Sequence, residues 1–399
     1  MDREKLQVVP LTDPEDAGYA LEVPASPIPI VKPTLHDFAL VVAEFRQAWE
    51  SGGVTTGSFT RHFEAAVEEK LRVPHAVMVQ SCTAGLMLVL RAMDLQGEVI
   101  LPAFTWTATA HAVMWNGLTP VFADITPEIY TLDPRAASRA ITWRTAAIMP
   151  VNVFGCPPDY AAWEQLTQDY QLPLIYDSAQ GLGSQFLGLD GVWRYSGGFG
   201  EAEVFSMSPT KVVSAMEGGL ITTHNGALAE KLRQLRDYGK AAGVEDIAWL
   251  GLSARVPEIN AIVARHNFAH MDALVTRRKE LIAIYKAELG DLAGVTFQQI
   301  PRGYKTSGNY FTLFINPGQA RCNRDEAYDQ LQKRGIQAKK YFYPALHLQE
   351  VYRELGRPYR GKLPVTETAS ARGLALPLFS HMTQGTLLQV IHEVHNILK

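Results

Sequence analysis

At 399 residues, 47% of them hydrophobic and 20% charged, the chain is an ordinary globular protein too long for one small core, so two or more lobes are expected. A formal charge of −4 without a basic cluster argues against a nucleic-acid surface, and no uncharged apolar run reaches the roughly 18 residues of a membrane-spanning helix. Met1-Asp-Arg-Glu-Lys5 lacks the apolar stretch of a signal peptide, and Cys82, Cys156 and Cys322 have neither paired nor metal-ligand spacing. The expectation is a reduced, cytoplasmic enzyme with no metal, no membrane partner and no nucleic-acid partner.

Residues 1 to about 34 are proline-rich (Pro24, Pro27, Pro29, Pro33), which predicts an extended arm. Phe38, Val41, Val42, Phe45 and Trp49 recur at helical spacing, and Ser51-Gly-Gly53 ends that helix. Thr55-Thr-Gly57 leads into a second helix carrying Phe59, Phe63, Ala66, Val67 and Leu71. A strand over 76–79 runs straight into Ser81-Cys-Thr-Ala-Gly85 and an apolar helix over 86–93. Free N–H groups and the positive dipole end at that helix start suit a phosphate, although the pentad alone reads first as a plain N-cap.

Glu98-Val-Ile-Leu-Pro102 is the next strand, and Thr105-Trp-Thr-Ala-Thr109 opens the helix after it; Trp106 there could stack on a planar ring or simply be core. Strands are predicted over 119–124, 146–153 and 172–177, with a loop and short helix over 128–142 and a helix over 163–170. Strands and helices alternate to about residue 225, the pattern of a mostly parallel sheet covered on both faces. Ligands gather at the carboxyl ends of such strands, where Ser81, Trp106 and Asp177 all fall. Gly181-x-Gly183-x-x-Phe186 follows a strand but lacks the third glycine and the helix start of a dinucleotide fingerprint, and is discounted.

Val204-Phe-Ser-Met-Ser-Pro-Thr-Lys211 and Glu217-Gly-Gly-Leu-Ile-Thr-Thr223 read as a strand, a polar turn carrying one lysine, and a glycine turn into a second strand. A lone lysine is ordinarily a solvated surface group. With a phosphate cradle at 81–85, an aromatic plate at Trp106 and a carboxylate at Asp177, however, it completes the set that holds pyridoxal phosphate and forms its Schiff base. Beyond it come a basic helix over 228–236, a loop over 240–256 and a long helix over 258–289. Strands at 310–315 and 374–378, an extended stretch at 339–344 and helices at 324–335 and 384–398 make a smaller α+β lobe.

In joint order these segments resemble the DegT/DnrJ/EryC1/StrS aminotransferases over roughly residues 35–398. The resemblance rests on Thr56-Gly57 with Phe63-Glu64, Ser81-Cys-Thr-Ala-Gly85, Glu98-Val-Ile-Leu-Pro-Ala-Phe-Thr-Trp106, Gly117-Leu-Thr-Pro-Val-Phe-Ala-Asp124, Asp177-Ser-Ala-Gln180, Phe205-Ser206 with Lys211, and Glu217-Gly-Gly219. It implies an α/β, fold-type I, pyridoxal phosphate-dependent transferase. An N-terminal arm and first helix (1–47) would precede a large cofactor-binding domain (48–265) with a mostly parallel seven-stranded sheet sandwiched by helices, and a small C-terminal α+β domain (266–399). It also implies that Lys211 forms the Schiff base and shuttles the proton, that Asp177 pairs with the pyridinium nitrogen, that Trp106 stacks on the ring and that Gln180 hydrogen-bonds its phenolic oxygen. Cys82, Thr83 and Ser206 would hold the phosphate.

Two positions depart from the family pattern. Cys82 stands where a glycine is usual, and Gly251-Leu-Ser-Ala-Arg255 carries Ser253 where the family's asparagine reaches the partner subunit's phosphate. The implied activity is transfer of an amino group, from L-glutamate, to the ketone of a nucleotide-linked deoxysugar, at C-4 of a dTDP-4-keto-6-deoxyhexose, by a homodimer. Lys240, Lys339 and Lys340 are candidates for its pyrophosphate. Open alternatives are another cyclic ketone (an inosose or a 3-amino-5-hydroxybenzoate precursor), a C-3 keto sugar, a sugar dehydratase, although the family's dehydratases carry histidine where Lys211 stands, and a non-catalytic cofactor-binding sensor.

Overall fold

The computed structural model describes residues 27–241, 243 and 246–399; most of the proline-rich arm, including Pro24, lies outside the described residues. In chain order, α1 (Phe38–Ser51) and α2 (Ser58–Leu71) precede β1 (His75–Val79), α3 (Cys82–Ala92), β2 (Glu98–Pro102), α4 (Thr107–Trp115) and β3 (Thr119–Ala123). Then come α5 (Pro134–Ala140), β4 (Thr145–Ile148), α6 (Tyr160–Tyr170), β5 (Ile175–Asp177), the hairpin β6 (Gln185–Leu187) and β7 (Trp193–Tyr195), β8 (Ala202–Ser206), β9 (Gly219–Thr223) and α7 (Gly226–Arg236). The chain continues with α8 (Glu258–Ala269), α9 (Met271–Leu289), β10 (Val295–Phe297), β11 (Tyr304–Lys305), β12 (Phe311–Ile315) and α10 (Arg324–Lys333). It ends with α11 (Arg353–Gly356), α12 (Pro364–Arg372), β13 (Gly373–Leu376) and α13 (Gln384–Leu398).

Strands β1, β9, β8 and β5 are hydrogen-bonded in that order, as are β3, β2 and β4. Parallel bridges from Ile148 to Leu174 and from Val151 to Asp177 join the two groups into one seven-stranded sheet. Only β9 runs antiparallel to its neighbours; the remaining pairs are parallel, as expected from the sequence. Side chains alternate across it: Val77, Val79, Val99 and Leu101 pack with α3, α4 and α7, whereas Ala76 and Met78 meet α2 and α8, and Ile100 meets α5 and α6. Burial on both faces is why these strands read as continuous apolar runs. At Gly85 an added Cβ would lie 2.7 Å from Val204 Cγ1, so α3 sits directly on β8.

The antiparallel strands β10, β12 and β13 form a second sheet, and a separate core gathers them with α9, α10 and α13 and takes in Ile28 from the entering segment. The long helix expected over 258–289 is two helices instead, bent at His270. That ring stacks on His36 at 4.1 Å and meets Asp37 Oδ2 at 3.2 Å, tying the bend to the segment that enters α1. Among the described residues no helix is long and apolar enough to cross a membrane.

Candidate active site

The site grows from three strand ends. After β1, Ser81 caps α3, its Oγ accepting from Ala84 N at 3.1 Å, and the first-turn N–H groups of Cys82 and Thr83 stand at the positive end of the helix. Gly219 at the start of β9 lies against this turn. A Cβ there would fall 2.4 Å from Ser81 C and 2.6 Å from Cys82 N. The Cys82 thiol turns away into the sheet and donates to Val204 O at 3.7 Å. Burial, reinforced by Asp177, pushes that thiol well above its ordinary value. What Cys82 offers the cavity is therefore its backbone N–H at the helix start and not its thiol.

Asp177 closes β5 and is 3% exposed. Its Oδ2 accepts from the Thr109 hydroxyl at 2.6 Å and its Oδ1 from Ala179 N at 3.1 Å. Burial raises its carboxyl above the usual range, against the opposing pull of those two donors and of the Lys211 charge. Gln180 Oε1 is held by Phe154 N at 2.6 Å, which orients the side-chain amide. Ser206 ends β8, and the turn after it is closed by Lys211 N to Ser208 O at 3.0 Å and Met207 N to Gly218 O at 2.9 Å. Asn309 Oδ1 accepts from Val212 N at 3.2 Å and braces the turn from the C-terminal part of the chain. Lys211 Nζ lies 5.7 Å from the centre of the Tyr310 ring. Burial works against ionising Tyr310, but Lys211, Thr210 and Tyr341 together hold its phenol below the ordinary value.

Cys82, Thr83, Trp106, Asp177, Gln180, Ser206 and Lys211 all line one cavity of about 300 Å³. Ser253 does not; it is exposed and bridges to Asp237, next to an Ala254 carbonyl that accepts from Gln80 N at 3.0 Å. The sequence reading missed Asn152, Thr109 and Tyr310. Asn152 had a usable signal, a polar residue at the carboxyl end of an apolar strand run; Tyr310 had none, because it arrives from a distant segment.

These residues fit pyridoxal phosphate. Asp177 is a buried acceptor with no cationic side chain in ion-pair contact among the described residues, which suits a protonated pyridine nitrogen. Asn152, fully buried on the same wall, has neither amide atom hydrogen-bonded, so polar capacity is left for a ligand. Trp106, 57% exposed, leaves ring surface for stacking.

A family profile described as the DegT/DnrJ/EryC1/StrS aminotransferase family matches residues 39–395. The chain belongs to that family. It is a pyridoxal phosphate-dependent aminotransferase. It is 29% identical over 371 residues to the dTDP-4-amino-4,6-dideoxy-D-glucose transaminase of Escherichia coli, covering 91% of this chain and 96% of that one. Among solved structures, DesI in the presence of its TDP-sugar product is 32% identical with a TM-score of 0.85, covering 93% of each chain. S. venezuelae DesV, in complex with a ketimine intermediate, is 30% identical with a TM-score of 0.84, covering 93% of this aminotransferase and 98% of that chain.

Proposed function

We propose that this aminotransferase moves an amino group from L-glutamate to the C-4 ketone of a dTDP-linked 4-keto-6-deoxyhexose, as a homodimer in the cytoplasm. The observation that carries the reading is the convergence of Lys211, Asp177, Trp106 and Gln180 with the start of α3 in one cavity. The chain around that cavity is similar over 91% of its length to an enzyme named for such a sugar.

Pyridoxal phosphate, when bound, supplies an electron sink for the carbon that bears the nitrogen. The N–H groups of Cys82 and Thr83 and the Ser206 hydroxyl would hold its phosphate. Asp177, fixed by Thr109 and Ala179, would keep a proton on the ring nitrogen. Gln180, its Oε1 already engaged, would donate its amide N–H to the phenolic oxygen. Lys211 Nζ would anchor the cofactor and, once released, carry a proton to and from the reacting carbon.

For the dimer, support comes from α1, where Phe38, Leu40 and Trp49 are 82%, 56% and 70% exposed. Helix α8, by contrast, is covered by α1 and α2 of its own chain and offers no such face. An exposed Ser253 remains free to meet a second copy. A monomeric mass in solution with activity intact refutes the dimer. Three unpaired cysteines suit a reducing compartment.

The substrate is tested by half-reactions, followed as loss of the bound cofactor's colour. L-Glutamate and dTDP-4-amino-4,6-dideoxyglucose should both bleach the enzyme, the latter faster than the free amino sugar because the nucleotide contributes binding energy away from the reacting carbon. A 3-amino isomer should react about 10²-fold more slowly, since its amine is misplaced by about 1 Å or more. Preference for the 3-amino isomer refutes the regiochemistry, and preference for scyllo-inosamine refutes the sugar-nucleotide reading.

A further inference from the structure

At the opposite end of the large sheet from Lys211 lies a separate cavity of about 470 Å³, a size within the roughly 300–1,000 Å³ of small-molecule sites. The cofactor site is built at the carboxyl ends of β5 and β8, which Asp177 and Ser206 close. This cavity is lined instead by Val73, which leads into β1, by Gly198 ahead of β8, and by His224, which follows the antiparallel β9. All three lie at the amino ends of the parallel strands. The two cavities share no lining residue.

Among the described residues the lining carries three cationic side chains, Lys70, Arg72 and Arg194, and no carboxylate. Two of the three charges are already matched. Lys70 Nζ lies 2.7 Å from Asp272 Oδ2, and Arg194 Nη1 donates to Asp190 Oδ1 at 2.7 Å. Arg72 differs. It ends α2 in the left-handed region, at φ 58°, between the buried Leu71 and Val73, so its backbone is anchored. Its exposed guanidinium has no carboxylate in ion-pair contact among the described residues.

Trp193, Tyr195 and Phe199 supply aromatic surface around that cation. The Tyr195 hydroxyl is held by Asp272 Oδ1, and Phe199 is stacked on the buried Tyr160 ring at 3.7 Å. Trp193 is 38% exposed, with the Lys305 ammonium 3.7 Å from its ring centre. Fixed rings suit a flat aromatic body, and a lining without acids repels no anion. One unmatched guanidinium suits a single negative charge of carboxylate shape.

We propose that this cavity is a second binding site, for a planar aromatic carboxylate, with Arg72 pairing with the carboxylate and Trp193 lying against the ring. It stands apart from the transamination site and does not depend on which sugar the enzyme aminates.

The experiment is calorimetric titration of the holoenzyme with 2-naphthoate as probe and 2-naphthamide as its neutral counterpart, in wild type, Arg72→Met, Trp193→Leu and Arg91→Met. Arg91 is exposed at the end of α3 and lines neither cavity, which makes it the control for a lost surface charge. Circular dichroism and the cofactor's absorbance check that each variant is folded and loaded. Wild type should bind one 2-naphthoate per chain, and the amide about 10-fold more weakly, a comparison that tests the charge without any substitution. Arg72→Met should weaken 2-naphthoate by about 10-fold, the scale of one charge-assisted hydrogen bond, and Trp193→Leu by about 3- to 10-fold, the scale of one aromatic contact. Arg91→Met should bind as wild type does. No binding to wild type, equal affinity for acid and amide, wild-type affinity in Arg72→Met or Trp193→Leu, or equal losses in Arg72→Met and Arg91→Met overturns the assignment.

Discussion

Replacing Gly219 by alanine places a single methyl group where the phosphate cradle meets β9. The backbone of Gly219 lies outside the left-handed region, so alanine can adopt it and the effect is purely one of space. The new Cβ would lie 2.4 Å from Ser81 C, 2.5 Å from Ser81 O and 2.6 Å from Cys82 N, against an ordinary contact distance of 3.4 Å or more. All three are backbone atoms, so no side chain can rotate out of the way. Nor can α3 retreat as a body, because Gly85 one turn on is already held against Val204. The first turn must shift by about 1 Å, and overpacking of this kind costs about 1–3 kcal/mol. If most of that falls on the cradle, affinity for pyridoxal phosphate drops about 5- to 150-fold. Spectroscopic titration of the apo-enzyme with the cofactor measures it. Gly385→Ala, in the first turn of α13 with nothing within 4 Å of the new Cβ, is the matched control and should leave affinity unchanged. Wild-type affinity in Gly219→Ala would refute both the tight fit and the placing of the phosphate at this turn.

Asp177→Asn removes the charge facing the ring nitrogen and should lower kcat by about 10²-fold with the cofactor still bound, the usual scale for losing a fixed electrostatic partner; near-normal kcat would contradict the role. Glu203 is fully buried on β8, where it accepts from Gly197 N at 2.8 Å, Phe199 N at 3.1 Å and Ser178 Oγ at 2.9 Å. Burial pushes its carboxyl from 4.5 up to about 7 despite those donors. Its contribution to stability is therefore full below pH 4.5 and lost as the pH rises through 7, a change on the order of 3 kcal/mol. Denaturant titrations at both ends of that window should show the fall in wild type and a flatter profile in Glu203→Gln; identical profiles would contradict it.

The large sheet and the cradle were legible because their signals are local. A strand running into Ser81-Cys-Thr-Ala-Gly85 falls within ten residues, and a lysine between two apolar strands within about twenty. What the other family segments do was not legible, because their partners are remote in sequence. Glu258 accepts from Gly57 N at 2.8 Å and from Thr60 N at 3.0 Å, capping α2 from 201 positions away and giving Thr56-Gly57 its purpose. Glu64 pairs with Arg236 at 2.7 Å and accepts from Met78 N at 2.8 Å, which fixes β1 ahead of the cradle. Asp124 accepts from Thr366 N at 2.8 Å and ties β3 to the start of α12. The three-stranded sheet of β11, β6 and β7 went unseen because strands of two or three residues carry no periodicity. The bend at His270 depends on rings brought from residue 36, and nothing in the helical pattern of 258–289 marks it.

The proposed chemistry requires Lys211 to be the lysine that carries the cofactor. Borohydride reduction of the yellow holoenzyme, followed by proteolysis and mass spectrometry, locates the pyridoxyl group directly. The account predicts it on Lys211 alone. A pyridoxyl group on Lys339, the other lysine lining the cavity, or none fixed at all, would contradict it.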